Sequence, residues 1–222
     1  MTRLDRHAQV IAIALAVLAG FVDGIGFVQL SGFFVSFMSG NSTRLGVGLT
    51  HDLNYALTAF GLIVAFVIGA AAGSLVGHAT AHRRRSAVLF FVAIILALAA
   101  LLDTLAASAI AAGLMAFAMG ATNATFEEGG ETRVAVTYMT GALVKMGQRL
   151  ASVLRGGSGE GFFAYALLWA GLVAGALAGA SAFSLLGAAA LWIAAAFAVL
   201  LCLAARTDPA SHGVTASRCD GR

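Results

Sequence analysis

Six apolar runs of about twenty residues constrain this chain more than any other feature. They lie at roughly 9–30, 55–77, 86–106, 109–126, 162–184 and 186–205. A run of that length spans a hydrocarbon core about 30 Å thick. Of the 222 residues 60% are apolar and only 10% are charged, against roughly 25% charged in soluble domains, so lipid solvates most of the surface. The expected fold is an all-α integral membrane protein with six transmembrane helices. The fourth run is the shortest and carries Thr122 and Asn123.

The basic residues orient these spans. Arg3 and Arg6 precede the first, and Arg83, Arg84 and Arg85 separate the second from the third. Arg133, Lys145, Arg149 and Arg155 separate the fourth from the fifth, and Arg206, Arg218 and Arg222 follow the sixth. With six crossings all of these fall on one side and only Arg44 on the other. Lys/Arg bias marks the cytoplasmic side, so both termini are expected there. An eight-span arrangement would scatter the same charges over both faces. The Arg83–Arg85 run, without interleaved aromatics, reads as a positive-inside loop and not as a nucleic-acid contact.

The chain also repeats itself. "VSFMSGNSTRLGVGLT" (35–50) aligns with "VTYMTGALVKMGQRLA" (136–151), an offset of 101. Gly20 and Asp23 in the first span stand where Gly120 and Asn123 stand in the fourth, at 100; Gly69, Gly73 and Gly77 match Gly171, Gly175 and Gly179, at 102. The expected organisation is a first three-span repeat over 1–106, a second over 107–205, and a disordered cytoplasmic tail over 206–222. Three is odd, so the second unit must be inverted, as in several transporter folds whose sites lie at the repeat interface. The two glycine rows are spaced by four and each lines one helix face, where small residues let backbones approach closely. The opening "MTRLDRHAQVIAIALAVLAG" has the regions of a signal peptide, but its apolar run belongs to the first repeat.

The repeated polar motifs read as breaks at membrane depth, where irregular backbone is tolerated only inside protein or beside water. Gly40 would permit the break, with Ser39, Asn41 and Ser42 as N-caps and 43–49 as a half-helix; Gly141 would do the same with Thr140 as cap. The plainer reading is of ordinary loops between spans. A half-helix start suits an anion, and Arg44 and Lys145 lie one turn in. Thr43 adds a hydroxyl, whereas the second motif has Ala142, Leu143 and Val144 in place of Asn41, Ser42 and Thr43, so the site is lopsided. Within the first span Asp23 should face a cavity or a partner, with Arg44 the candidate and a proton or Na⁺ the candidate ion. Asp103 reads as interfacial, and Glu127, Glu128 and Glu131 as solvated loop residues.

Catalysis has little footing. Ser39 could act as a nucleophile only beside a base, and His7, His51, His78, His82 and His212 all lie at ends, in loops or in the tail. Cys202 and Cys219 suggest neither a disulfide framework nor a metal site. No enzyme, cofactor or metal is expected.

"AGFVDGIGFVQLSGFFVSFMSGNSTRLG" resembles the YoaK-like family of bacterial inner-membrane proteins, a domain of unknown function. The matching positions are Gly20, Asp23, Ser39, Gly40, Asn41, Thr43, Arg44, Leu45 and Gly46, then Gly120, Asn123, Thr137, Tyr138, Thr140 and Gly141. "ALVKMG" departs from the family's polar pattern. The resemblance, over about 10–205, implies a multi-span inner-membrane protein and no chemistry. The leading expectation is a secondary transporter or channel-like carrier of a small anionic solute, with substrate or ion-binding residues Asp23, Ser39, Asn41, Thr43, Arg44, Asn123, Thr140 and Lys145. The alternative is a scaffold or accessory subunit that meets a partner through its glycine faces. The lipid bilayer, and a homodimer, are the expected partners.

Overall fold

The computed structural model describes residues 6–128, 131–132 and 139–206. Among them are eight α-helices: α1 (Arg6–Gln29), α2 (Met38–His51), α3 (Leu53–Ala79), α4 (Arg84–Thr104), α5 (Ser108–Thr122), α6 (Met139–Leu154), α7 (Phe162–Leu186) and α8 (Ala190–Arg206). Glu127–Glu128 pairs with Glu131–Thr132 as a two-residue antiparallel ladder. Five helical stretches are long and apolar enough to cross a membrane, the last being Phe162–Arg206, 45 residues long. That stretch is interrupted at Gly187, where φ is +57°, a value that favours glycine, and the chain resumes as α8. The protein is an all-α membrane protein. The expected tail, from 207 onward, and Thr137 and Tyr138 lie outside the described residues.

The core forms around α1. Its Ile11, Leu15, Leu18, Val22 and Ile25 are buried, and it lies along α7 with further contacts to α8 and α5. α3 lies on α5 and α2, and α4 on α8 and α5. Large apolar side chains left outside, such as Phe60, Val67 and Leu75 on α3 and Phe163, Leu177 and Leu185 on α7, suit a lipid surround.

Glycines set the closest approaches. A Cβ on Gly175 would lie 2.1 Å from the Val17 carbonyl oxygen, on Gly179 2.0 Å from that of Phe21, and on Gly20 2.0 Å from that of Leu172. Likewise Gly69 would meet the Phe117 oxygen at 2.0 Å, Gly73 that of Ala121 at 2.6 Å, and Gly120 that of Phe66 at 2.0 Å. Only hydrogen fits at these points. Close van der Waals packing of this kind holds helices together where lipid removes the hydrophobic drive. Two of the six glycines expected to pack are looser: Gly77 faces the Arg84 side chain at 3.2 Å and Gly171 the Ile13 oxygen at 3.3 Å.

Helix directions follow from the same contacts. Residue numbers rise together along α1 and α7, and along α3 and α5, so each pair is parallel. Gln29, ending α1, bonds to Asp103, ending α4. Arg84, opening α4, donates to the Glu127 carbonyl just after α5 at 2.9 Å. α5 therefore runs opposite to α1. α8 returns antiparallel along α4: near its end Cys202 Sγ donates to the Ser86 carbonyl at 3.3 Å and Arg206 Nε to Ser86 Oγ at 3.2 Å.

Three expectations are corrected here. α2 and α6 run unbroken through Gly40 and Gly141, so Ser39, Asn41, Ser42 and Thr140 lie inside helices and cap nothing. Gly40 is required by packing, since a Cβ there would lie 2.7 Å from the Phe37 ring and 2.9 Å from that of Phe34. Glu127 is not solvated: its side chain is 9% exposed, with Arg84 Nη1 at 3.6 Å and His78 Nε2 at 3.8 Å from Oε1. The side chains of Glu128 and Glu131 lie outside the described residues. Asp103, one residue from the end of α4, is buried within the protein and not open to water.

Candidate functional site

The polar first motif serves a sharp return of the chain. After α1, Ser31 and Gly32 adopt positive φ (53° and 108°) and turn residues 33–37 back along the helix they have just left. A buried return segment must find partners for its backbone, and Asp23 supplies them. Its Oδ1 accepts from Val35 N at 2.7 Å and Ser36 N at 2.8 Å, and its Oδ2 accepts from Ser36 Oγ. Asp23 lies six residues before the end of α1, about 9 Å along the axis at 1.5 Å per residue, which measures how far the chain folds back. Gly26 makes the room, since a Cβ there would stand 2.8 Å from Val35.

Asn41 holds the other side of this return. It is fully buried, accepts from Phe34 N at 3.1 Å through Oδ1, and donates to Phe34 O at 2.6 Å through Nδ2. An asparagine amide is suited to this, having a donor and an acceptor side by side. Ser42 and Thr43 are exposed and donate to Met38 O and Ser39 O of their own helix, and Ser39 is exposed as well.

The expected pairing of Asp23 with Arg44 does not occur, because backbone N–H groups and Ser36 already take the carboxylate. Arg44 turns back along α2 to place its guanidinium 4.7 Å from the Phe34 ring centroid and 5.9 Å from that of Phe33, with Nη1 donating to Gly40 O at 3.4 Å. A cation over aromatic faces is stabilised by about 0.5–2 kcal/mol, more as it is desolvated. Asp23, Asn41 and Arg44 are thus gathered around one turn.

The second half differs. Asn123 Nδ2 donates to Met119 O at 3.1 Å, within its own helix end. Thr140 is exposed near the start of α6. Lys145 stands 5.4 Å from the Tyr165 ring centroid and, with Gln148, Arg149 and Tyr165, lines a cleft of about 430 Å³ between α6 and α7. Two cations and an amide face this space, with no carboxylate among the described residues that line it. Gln148 and Arg149 were legible as the helical neighbours of Lys145, at i+3 and i+4; Tyr165 had no signal in the local pattern.

Residues 11–204 match the family described as protein of unknown function (DUF1275). The chain belongs to that family. It is also 38% identical over 197 residues to a UPF0700 transmembrane protein of Rhizobium meliloti (strain 1021), covering 88% of this chain and 85% of that one. No solved structure matches. Membership agrees with the resemblance read from the paired motifs and with a multi-pass membrane protein. Of the positions that carry that resemblance, Asp23 of α1 and Asn41 of α2 hold the return segment, while Gly20 packs α1 against Leu172 of α7.

Proposed function

We propose that this DUF1275 chain is a small bacterial inner-membrane carrier of an anionic solute, not an enzyme, with six crossings and both termini cytoplasmic. The single observation behind the solute class is the cleft of Lys145, Gln148, Arg149 and Tyr165. Cationic donors with aromatic backing suit phosphate or carboxylate groups. The carrier reading rests on architecture. The 45 residues of Phe162–Arg206 would extend about 67 Å as one helix, more than twice a bilayer core, so two crossings accommodate them.

Two inverted units, 1–106 and 107–205, account for the paired contacts. Gly69 on Phe117 corresponds to Gly175 on Val17, Gly73 on Ala121 to Gly179 on Phe21, and Gly120 on Phe66 to Gly20 on Leu172. The first pair of helices runs opposite to the second, as inversion requires. These pairs relate α3 to α7 by 106 residues (175 minus 69), one helical turn more than the 102 read from the glycine rows. In the scaffold alternative those glycines would meet a partner. Their close contacts lie within the chain, which favours the carrier. The exposed apolar faces of α3 and α7 are left for lipid and, in a homodimer, a second copy.

Proteoliposomes containing the full chain test the proposal, with inorganic phosphate and a short dicarboxylate as probes. Uptake above protein-free vesicles, lost in a Lys145→Gln/Arg149→Gln variant of unchanged melting temperature, is expected. Equal uptake by that variant, or none by the native chain for either anion, would overturn it.

A further inference from the structure

At the end of the molecule where α1 and α4 both terminate, a polar pair, Asp103 buried and Gln29 partly so, is only half satisfied. Gln29 Nε2 donates to Asp103 Oδ1 at 2.5 Å. Asp103 is 6% exposed. Its second oxygen, Oδ2, and the Gln29 carbonyl oxygen, Oε1, are both buried without a hydrogen-bond partner among the described residues. The amide cannot be turned to relieve this. A carboxylate only accepts, so the nitrogen must face it and the carbonyl is left over. Both orphans are therefore acceptors on two groups already joined, and what they lack is a donor or a cation.

The surroundings are electronegative as well. α1 and α4 each end here, and a helix C-terminus carries roughly half a negative charge. α5 and α8, packed on α4, bring no charged side chain to this end. On and beside α2 the charged or titratable groups are Arg44, His51 and Asp52. Arg44 is turned onto Phe33 and Phe34, and Asp52 accepts from Asn54 N and Tyr55 N as the cap of α3. Asp103 makes no ion pair among the described residues. Buried charges are ordinarily paired or bound to a cation.

The structure assigns Asp103 Oδ2 and Gln29 Oε1 as ligands of a small monovalent cation of the sodium class. Carboxylate and amide carbonyl oxygens are hard ligands, and a single carboxylate beside a neutral amide carries one negative charge, matching one positive charge. Water would complete the shell. The assignment moves the ion-binding role expected of Asp23 to Asp103, because the Asp23 oxygens are taken by the chain. It does not depend on solute transport: the site binds its ion whether or not the carrier reading holds.

The test is the melting temperature of the full-length protein in detergent, in sodium chloride against choline chloride at equal ionic strength and pH. A ligand that binds only the folded state raises that temperature with concentration. The native chain should melt higher in sodium along a saturating curve, and Asp103→Asn should lose the sodium shift. Asp52→Asn, at the same end but outside the pair, should retain it. Should Asp103→Asn fail to fold, Gln29→Leu keeps the carboxylate and removes one ligand, and about tenfold more sodium should be needed for the same shift, a factor worth about 1.4 kcal/mol. The assignment is overturned if the native chain shows no sodium shift, if Asp103→Asn or Gln29→Leu keeps the full shift, or if acid alone reproduces it.

Discussion

Asp23 offers the sharpest single perturbation. Its carboxylate accepts three hydrogen bonds, from Val35 N, Ser36 N and Ser36 Oγ, and these bonds fold the return segment against α1. Hydrogen bonds inside membrane proteins average about 0.6 kcal/mol each and reach about 1.7 kcal/mol, so losing all three in Asp23→Ala should cost about 2–5 kcal/mol. Asp23→Asn keeps Oδ1 for both backbone donors, and the Ser36 hydroxyl can rotate to accept from the new amide. Its cost should be about 1 kcal/mol, one net hydrogen bond. Equilibrium unfolding in mixed micelles measures both. The decisive comparison is the double variant Asp23→Ala/Ser36→Ala, which should cost clearly less than the two single changes added together, since they remove a shared bond. Strict additivity, or a native-like Asp23→Ala, would refute the view that Asp23 anchors the return segment.

Two further outcomes follow from the same geometry. Asn41→Ala should lose about 1–3 kcal/mol for two backbone groups left unpaired at Phe34. Asn41→Asp should be no better, because a carboxylate faces the Phe34 carbonyl; limited proteolysis within 30–37 should rise in both. Among the glycines, Gly175→Ala and Gly69→Ala force a methyl onto a backbone oxygen and should cost about 1–3 kcal/mol. Gly46→Ala and Gly113→Ala, with nothing within 4 Å of the new atom, should be neutral or gain up to about 1 kcal/mol from helix propensity. Thermal unfolding of the four variants in one detergent separates the two classes.

What the sequence revealed and what it hid divide along physical lines. Apolar length and the spacing of glycines by four are local signals, and they located the long apolar helices and the faces that pack. The register of α3 on α7 in the proposed repeat was ambiguous by nature: a row of glycines spaced by four matches itself when slid one turn. Gly40 looked like a break because glycine permits unusual angles, yet its reason lies in two phenylalanine rings above a regular helix. Asp23 was rightly singled out as a buried acid, but backbone N–H groups leave no mark in a sequence, so its partners were invisible and Arg44 was the natural wrong guess. Gln29 with Asp103, 74 residues apart, and Arg84 with Glu127, 43 apart, needed the fold to bring them together. Lys145 was legible as a cation on a polar helical face, whereas the Tyr165 wall of its cleft came from the next helix.

The central claim is that two units of this chain face opposite sides of the membrane, and sidedness tests it most directly. Cys202 and Cys219 are replaced by serine, single cysteines are placed at positions 44 and 145, and intact cells are treated with a membrane-impermeant thiol reagent. Labelling at 44 from outside, with 145 reached only after permeabilisation, is the expected result. Labelling of both positions from the same side would contradict the inverted six-crossing arrangement, and the carrier reading built on it would fall.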